Sequence, residues 1–519
     1  MNYPPRAPIA ALRIIIICIL PIAAGCIDQQ EEVAAYRKVL DGPQVLTVSR
    51  DYSHGKALSL EAALLLANQY QEQLAIQGED YLQALIAKDR AYSTFLPTVS
   101  LAPTLSWQNR PLNTGGTTFA PGAGTTGLGG TNNGSGTGSV VGEKSNKYTA
   151  FDLPISAKAN LFNGFRDVSA IRAAWADVSR RKFLLLDLQE TVLLETAQTY
   201  YQVMRAERSV EVLHNSVDFQ EARVRDMLSR MRAGVAQPLD VAQSQAQAAA
   251  TRSQLVAAEN DVRNGRVTLA YLTDAKVRNA TLVDRLRIPE TLPPAMQAVE
   301  IGQRTRPDIA AAAAAVQIAR QNVQIAIGEY YPSLSLDLNY YLHRETFPTN
   351  AEWAGLLFAN LPIFSAGTIH ADVRAAWSQL RQAMLQEWQL VRQVGQDVQV
   401  DWQNLDASMA QIRELETEVA AAQEALRQAT RRYQTGLAIN LDVLNAEDQL
   451  LSAQLDLATA QFNYKIFYLD LVRAMGQLTR PSSLSSMSYG PASRPTTEQT
   501  RPVLPGYDIP PMRVPGTGP

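Results

Sequence analysis

Two cysteines and four histidines are all that 519 residues hold of the commonest soft metal ligands and thiol nucleophiles. Cys18 lies in an apolar stretch near the N-terminus and Cys26 closes it. A chain cut between them keeps one thiol, which excludes a disulfide framework, thiol catalysis and a cysteine zinc site. His54, His214, His343 and His370 are scattered, none in the HExxH spacing, and no glycine-rich phosphate loop of P-loop type is present. The ten methionines do not cluster as soft-metal motifs would. An enzyme is therefore not expected. Lys and Arg number 47 against 50 Asp and Glu, a formal charge of −3, so no basic surface points to nucleic acid. Beyond the N-terminus no run of 18 apolar residues exists, which excludes a membrane-spanning helix from the rest of the chain. It does not exclude transmembrane strands, which are short and alternate.

The N-terminus has the plan of a secretion signal. Arg6 and Arg13 are its positive end and Ile14 to Leu20 its apolar core. Pro21-Ile22-Ala23-Ala24-Gly25-Cys26 comes next. Small residues before a cysteine resemble the lipobox of bacterial lipoproteins, in which the cysteine becomes the new N-terminus and carries a diacylglycerol. Residues 1–25 are thus expected to be removed, taking the charge from −3 to −5, and Cys26 to be acylated; 26–57 form the acylated N-terminal segment. Ile27 stands where an inner-membrane retention signal has Asp, which favours the outer membrane.

A duplication organises the rest of the chain. Ile171-Arg172-Ala173-Ala174-Trp175 recurs as Val373-Arg374-Ala375-Ala376-Trp377, 202 positions on. Leu161-Phe162 recurs as Ile363-Phe364, and Gly234 to Val241 as Gly436 to Val443, at the same offset. Upstream, Leu96-Pro97 matches Tyr331-Pro332 at an offset of 235. The difference is an insertion in the first copy, in 108–147, where 11 of 40 residues are glycine. Such a stretch cannot bury enough apolar surface to fold alone and is expected to be a flexible external loop. The copies occupy 58–273 and 298–476, joined by a linker over 274–297. A Pro- and Ser-rich tail, 477–519, shows no apolar period and is expected to be disordered.

Each copy shares one plan: a helix (about 59–92 and 298–329), a strand pair, a very long helix, a glycine turn and a returning helix. Phe151, Leu153, Ile155, Ala157, Ala159 and Leu161 alternate with Asp152, Pro154, Ser156, Lys158 and Asn160. That is the period of a half-buried strand. Leu334, Leu336, Leu338 and Tyr340 alternate likewise with Ser335, Asp337, Asn339 and Tyr341. Val99, Leu101, Leu105 and Trp107 do so more weakly, and a fourth strand near 353–363 puts Leu356 and Phe358 on its polar side. Strands of about 10 residues with aromatic ends suit a membrane barrel wall. Four strands cannot enclose a channel, so several chains are required.

From Arg166 to Ala233 there is no proline, which predicts about 100 Å of unbroken helix. Leu405, Ile412, Leu415, Val419, Ala422, Leu426, Ala429 and Tyr433 keep a heptad register. Val210, Leu213, Val217, Gln220, Val224, Met227 and Met231 repeat it in the first copy, and Leu451, Leu455, Ala458 and Phe462 continue it. That register is the mark of coiled-coil packing. A pore-less periplasmic coiled coil would explain it, but not strand pairs at equivalent places in two copies.

The glycine turns carry the most specific motifs. They are Arg232-Ala233-Gly234-Val235-Ala236-Gln237-Pro238-Leu239-Asp240-Val241, and Tyr433 to Ala446 through Gly436, Leu441 and Asp442. With Leu-Pro before a strand and Leu-Phe before the long helix, residues 58–476 resemble the TolC family of outer-membrane efflux proteins, in its acylated, OprM- and CusC-like branch. The resemblance implies an α+β membrane protein: a homotrimer with a 12-stranded β-barrel, four strands per chain, joined to a long α-helical coiled-coil barrel. It implies a duct of a tripartite efflux or type I secretion system, meeting a periplasmic membrane-fusion adaptor and an inner-membrane pump. It implies no cofactor beyond the lipid on Cys26. By the same resemblance Asp442, Asn445 and Asp240 form a periplasmic gate, and Gly234, Leu239, Gly436 and Leu441 lie at tips that contact the adaptor.

Overall fold

A computed structural model describes residues 29–41, 49–52, 56–107, 149–289, 292–346 and 350–478. Cys26, the insertion 108–147 and all but the first two residues of the tail lie outside the described residues. A short helix, α1 (Gln29–Asp41), precedes the first copy. Then come β1 (Ala57–Ser59), α2 (Leu60–Tyr70), α3 (Glu72–Ser93), β2 (Thr98–Leu101), β3 (Thr104–Trp107), β4 (Thr149–Asn163), α4 (Arg166–Arg232) and α5 (Pro238–Thr273). The linker holds β5 (Thr281–Val283), and α6 (Ala295–Thr305) leads into the second copy, which continues with α7 (Pro307–Gly328), β6 (Ser333–His343), β7 (Trp353–Asn360), α8 (Thr368–Gln434) and α9 (Asn440–Ala474).

The two copies share element bounds. Both α4 and α8 run 67 residues, starting at Arg166 and Thr368, and both α3 and α7 run 22. One expectation is corrected in both copies at once. The first helix of each is not continuous but broken, at Gln71 and at Arg306, which adopt extended backbone (ψ 120 and 129). Pro307 causes the second break, because a residue before proline is driven out of the helical region. Gln71 has no proline after it; its N–H instead closes the end of α2 by donating to Ala67 O at 3.0 Å. The helix after the linker also begins at Ala295, three residues earlier than expected.

The breaks let helix ends stack. Arg306, 6% exposed, sits against the end of α9. Its guanidinium pairs with Asp308 (Nη2 to Oδ2, 2.5 Å) and Asp397 (3.6 Å), and Thr305 Oγ1 donates to Met475 O. Gly476, at φ +66, lies so close to the Arg306 backbone that a Cβ would sit 2.8 Å from its nitrogen. Leu478 is buried at 1%, so the apolar packing outlasts the expected start of the tail at 477.

Two features were not foreseen. The junction of the N-terminal segment with the first copy contributes β1, and the linker 274–297 contributes β5, and the two pair in parallel through Leu58 and Leu282. Tyr200 of α4 ties this pair down: its hydroxyl donates to Leu58 O (2.8 Å) and accepts from Val283 N (2.9 Å). Around it Tyr201, Leu193, Leu269, Val394, Val398, Leu469 and Val472 form the main core, at mid-height of the long helices. The first strand of copy one is also split, into β2 and β3, both antiparallel to β4. Pro103 stands in the gap, where a missing N–H breaks the ladder.

The strands form one antiparallel ribbon, ordered β2/β3, β4, β6, β7. Its register sorts side chains by chemistry. Val99, Ala157, Leu338 and Gly355 share one row and Leu101, Ile155, Tyr340 and Trp353 the next. On the opposite face Ser100, Ser156, Asn339 and Ala354 align, Lys158 pairs with Asp337 at 3.4 Å, and Ser156 Oγ bonds Asn339 Oδ1 at 2.5 Å. Leu356 and Phe358 fall opposite Asp337 and Ser335, the polar side, as the alternation requires. The apolar face is open: Val99 is 67% exposed, Trp107 74% and Trp353 70%. Along α8 the heptad residues are the sheltered ones, with Leu405 and Ala422 buried and Ile412, Leu415, Val419 and Leu426 half-buried among exposed neighbours.

Candidate gate and docking tips

At the far end from the ribbon the long helices reverse, and both reversals are built alike. In the first, Val235 N–H donates to Arg230 O (2.9 Å) and Gly234 N–H to Met231 O (3.0 Å). In the second, Leu437 N–H donates to Arg432 O (2.8 Å) and Gly436 N–H to Tyr433 O (3.1 Å). This double closure satisfies the last carbonyls of a helix and needs a left-handed residue after it. Gly234 and Gly436 both have φ +77, and an added Cβ would meet nothing within 4 Å. Glycine is therefore required there by backbone conformation, not by crowding.

The chain re-enters helix at Pro238 and Asn440. Asp240 Oδ2 accepts from Gln237 N–H and Asp442 Oδ2 from Ile439 N–H, each at 3.1 Å. Both carboxylates thus hold a free donor at the positive end of a helix, a stabilising place for a negative charge. They differ in outlook. Asp442 and Asn445 are exposed on one face of α9, while Asp240 is half-buried. Leu239 is 59% exposed and Leu441 42%, and Val235, Leu437 and Ile439 are exposed beside them at 74%, 72% and 62%. Arg230 and Arg232 end α4, and Arg431 and Arg432 end α8. Each tip is therefore an apolar point with a basic collar.

Behind the tips lies a buried polar cluster that sequence reasoning missed. Asn440, 1% exposed, donates to Asp240 O (3.3 Å) and Ser244 Oγ (3.1 Å), so it joins the two reversals directly. Its Oδ1 accepts from Arg223 Nη2 (3.1 Å), whose guanidinium lies 4.6 Å from the Tyr433 ring centroid. Glu447, 5% exposed, has no hydrogen-bond partner for either carboxylate oxygen. Burial pushes its pKa up to about 7, against the pull of Arg223. A signal was present: Glu447 lies one turn before Leu451, on the sheltered face of α9.

Glu447 dictates a pH dependence. Its folded pKa exceeds the ordinary carboxylate value, so the folded tip binds the proton more tightly than the unfolded chain. Destabilisation by this group grows as pH rises from about 4.5 to about 7 and is constant above. Glu447→Gln is expected to raise the melting temperature at pH 8 and to leave it unchanged at pH 4.5. A thermal scan at the two pH values checks this; an equal shift at both would assign the effect to packing.

Long paired helices that turn at exposed tips, on a ribbon with one apolar and one polar face, define a class: a membrane-seated duct protein. Comparison with known proteins makes the class particular. The outer membrane efflux protein family model matches residues 64–274 and 302–477, and the chain belongs to that family. It is thus an outer-membrane channel protein of efflux. It is 25% identical over 337 residues to the outer membrane efflux protein BepC of Brucella suis, covering 64% of this chain and 73% of BepC. With the outer membrane protein TolC of Vibrio cholerae it shares 24% over 325 residues, 59% of this chain and 74% of that one. The crystal structure of the outer membrane protein VceC of Vibrio cholerae superposes with a TM-score of 0.67 at 21% identity, over 80% of this chain and 96% of VceC. That likeness speaks for the fold.

Proposed function

We propose that three copies of this chain assemble into one duct, each giving its four-stranded ribbon to a 12-stranded barrel and its paired helices to a coiled-coil tunnel. The observation that carries this is the ribbon. It has an apolar face continuous across four strands and a polar face holding Lys158–Asp337 and Ser156–Asn339. Lipid on one side and water on the other stabilise that arrangement, whereas in water the apolar face would be an exposed patch. Four strands cannot curl around water, and three ribbons edge to edge can. The internal repeat supports it too: two copies per chain and three chains give six similar units around one axis, which suits a round tunnel.

In this assembly the tips point into the periplasm. Their apolar points and basic collars receive a membrane-fusion adaptor that couples the duct to an inner-membrane pump. Asp442 and Asn445 line the narrowest point, and Asp240 backs them. Substrates pass from the pump–adaptor assembly to the outside. Cys26 carries the lipid and adds a second hold on the membrane. No cofactor and no nucleic acid take part.

The stoichiometry is tested by native mass measurement of the detergent-extracted protein. Three chains are expected, and a stable monomer or dimer would refute the barrel. Acylation is tested by Cys26→Ser: the mutant should take up no radiolabelled palmitate while still forming trimers, because the ribbons remain in the membrane. Label entering the mutant would remove the lipid from Cys26.

A further inference from the structure

Two buried side chains behind the tips lack what burial normally demands. Gln220 of α4, 1% exposed, has no hydrogen-bond partner among the described residues for either Oε1 or Nε2. Glu447 of α9, 5% exposed, has none for either carboxylate oxygen. Buried polar groups are nearly always paired, so orphans on both walls of one seam call for a reason. The register of the seam brings them together. Arg223 of α4 bonds Asn440 of α9 near the tip, and Leu213 packs with Leu451 further along. Between these anchors the two helices run antiparallel. Gln220 lies one turn before Arg223 and Glu447 one turn before Leu451, both on the buried side. An amide offers a donor and an acceptor, and a protonated carboxyl offers the same two in reverse. An ionised carboxylate offers acceptors only, and nothing in the seam replaces the water it loses. At the equivalent places of the other copy, 202 positions away, stand Gln245 and Ala422, so each chain has this acid–amide pair once.

The charges around Glu447 leave it the odd one out. Burial pushes its pKa up to about 7, against the pull of Arg223. Elsewhere on this stretch of α4, Asp218 pairs with His214 (3.1 Å), Glu221 with Arg252 (3.0 Å) and Asp226 with Arg230 (3.0 Å). Helix α5 turns the neutral Ser244 and Gln247 toward α9, and its Asp240 carboxylate holds Gln237 N–H. On the facing stretch of α8, Glu424 and Arg427 pair at 2.5 Å, with Arg431 and Tyr433 nearer the tip. On α9 itself Asp448 is exposed and Asp442 holds Ile439 N–H.

We propose that Glu447 is a proton-operated latch on the gate: protonated, it pairs with Gln220 and holds the start of α9 against α4; ionised, it opens the seam to water and frees that start to move. This rests on Asp442 and Asn445, in the first two turns of α9, lining the narrowest point of the duct. The sign follows from where the proton is held more tightly. The closed seam holds it with a pKa of about 7, and a seam open to water releases it to solvent with a pKa toward the ordinary 4.5. Opening thus gives up one proton per chain. It is favoured by up to about tenfold per pH unit between those two values, with no further gain above the higher one. The duct is held shut in acid and released toward neutral pH.

Hydrogen exchange and bilayer recording of the full chain, each at pH 5 and pH 7.5, test the latch. Variants are compared at the same pH, so the intrinsic exchange rate cancels. At pH 7.5, Glu447→Gln, which is neutral and keeps the shape, should slow exchange at the start of α9 at least about tenfold. At pH 5 it should match the unmodified chain. Gln220→Met keeps the volume and removes the partner, and should speed the same amides at pH 5. Asp448→Asn, next door and exposed, should change nothing. In bilayers the open time of the unmodified channel should rise at least about tenfold from pH 5 to pH 7.5, and Glu447→Gln should keep the acid value at both. An exchange difference that is absent, or equal at the two pH values, would overturn the latch, and so would a pH step in open time that survives Glu447→Gln. No current from the unmodified chain at any pH would instead remove the duct reading, and the exchange result still decides whether Glu447 holds the seam.

Discussion

Leu441→Asp abolishes export and leaves the ribbon folded: that is the expected result of placing a carboxylate on the tip. Leu441 is 42% exposed in the first turn of α9, so its side chain contributes little to the fold of its own chain. Against a partner it becomes a buried apolar contact, and truncating such a centre costs about 2 kcal/mol or more per site. A carboxylate adds the cost of an unpaired charge taken out of water. In the proposed assembly three such tips would meet the adaptor, so the loss would multiply and coupling fail. Gly436→Val reaches the same end through the backbone. Its Cβ meets no atom, but φ +77 is a conformation that a β-branched residue adopts only under strain of roughly 1–2 kcal/mol. The reversal is expected to shift and carry Leu437 and Leu441 with it. Dye accumulation in intact cells reads export, and native mass measurement of the detergent-extracted protein reads assembly. Normal export by either variant, with normal protein levels, would remove the tips from docking.

Asp442→Asn is expected to lower cation selectivity and divalent block of the open channel while changing stability little. Like charges brought together on a threefold axis repel, and bound cations or proton uptake must stabilise them. Such a ring favours cations, less so as salt screens it. The competing role is visible: Asp442 Oδ2 accepts from Ile439 N–H at 3.1 Å, and a charge there is worth about 0.3–1 kcal/mol to the helix. Asparagine keeps the acceptor and loses the charge, so the two roles separate. Asn445 is exposed on the same face one turn on, and Asn445→Asp should strengthen divalent block. Planar-bilayer reversal potentials and calcium titrations read both. Unchanged values in both variants would confine Asp442 to the helix start.

How far the fold could be read in advance depended on which physical signal each element leaves. The 67-residue helices were legible because proline was absent and the heptads held register, and the ribbon because alternation puts Ile155 and Leu338 on one face and Ser156 and Asp337 on the other. The reversals were legible because Gly234 and Gly436 stand at the same place in both copies. What stayed hidden left no periodic trace. Strands β1 and β5 are three residues each, too short for alternation, and their pairing is decided by Tyr200 from a distant helix. Pro307 is a signal for the break at Arg306 that a single helix over 298–329 passes over, whereas Gln71 breaks with no proline after it and left no such signal. Arg223 comes from α4, and Asn440 and Glu447 from α9, more than 200 residues on, so the cluster behind the tips exists only once the two copies have packed together.

Planar-bilayer recording of the purified full chain tests the central claim most directly, because it asks whether the assembly encloses water across a membrane. Three ribbons closed into one barrel predict stepwise conductance with cation preference, from a species whose mass is that of three chains. Trimers that insert into the bilayer and pass no current, at any voltage and with the tips intact or with Asp442→Asn, would contradict it.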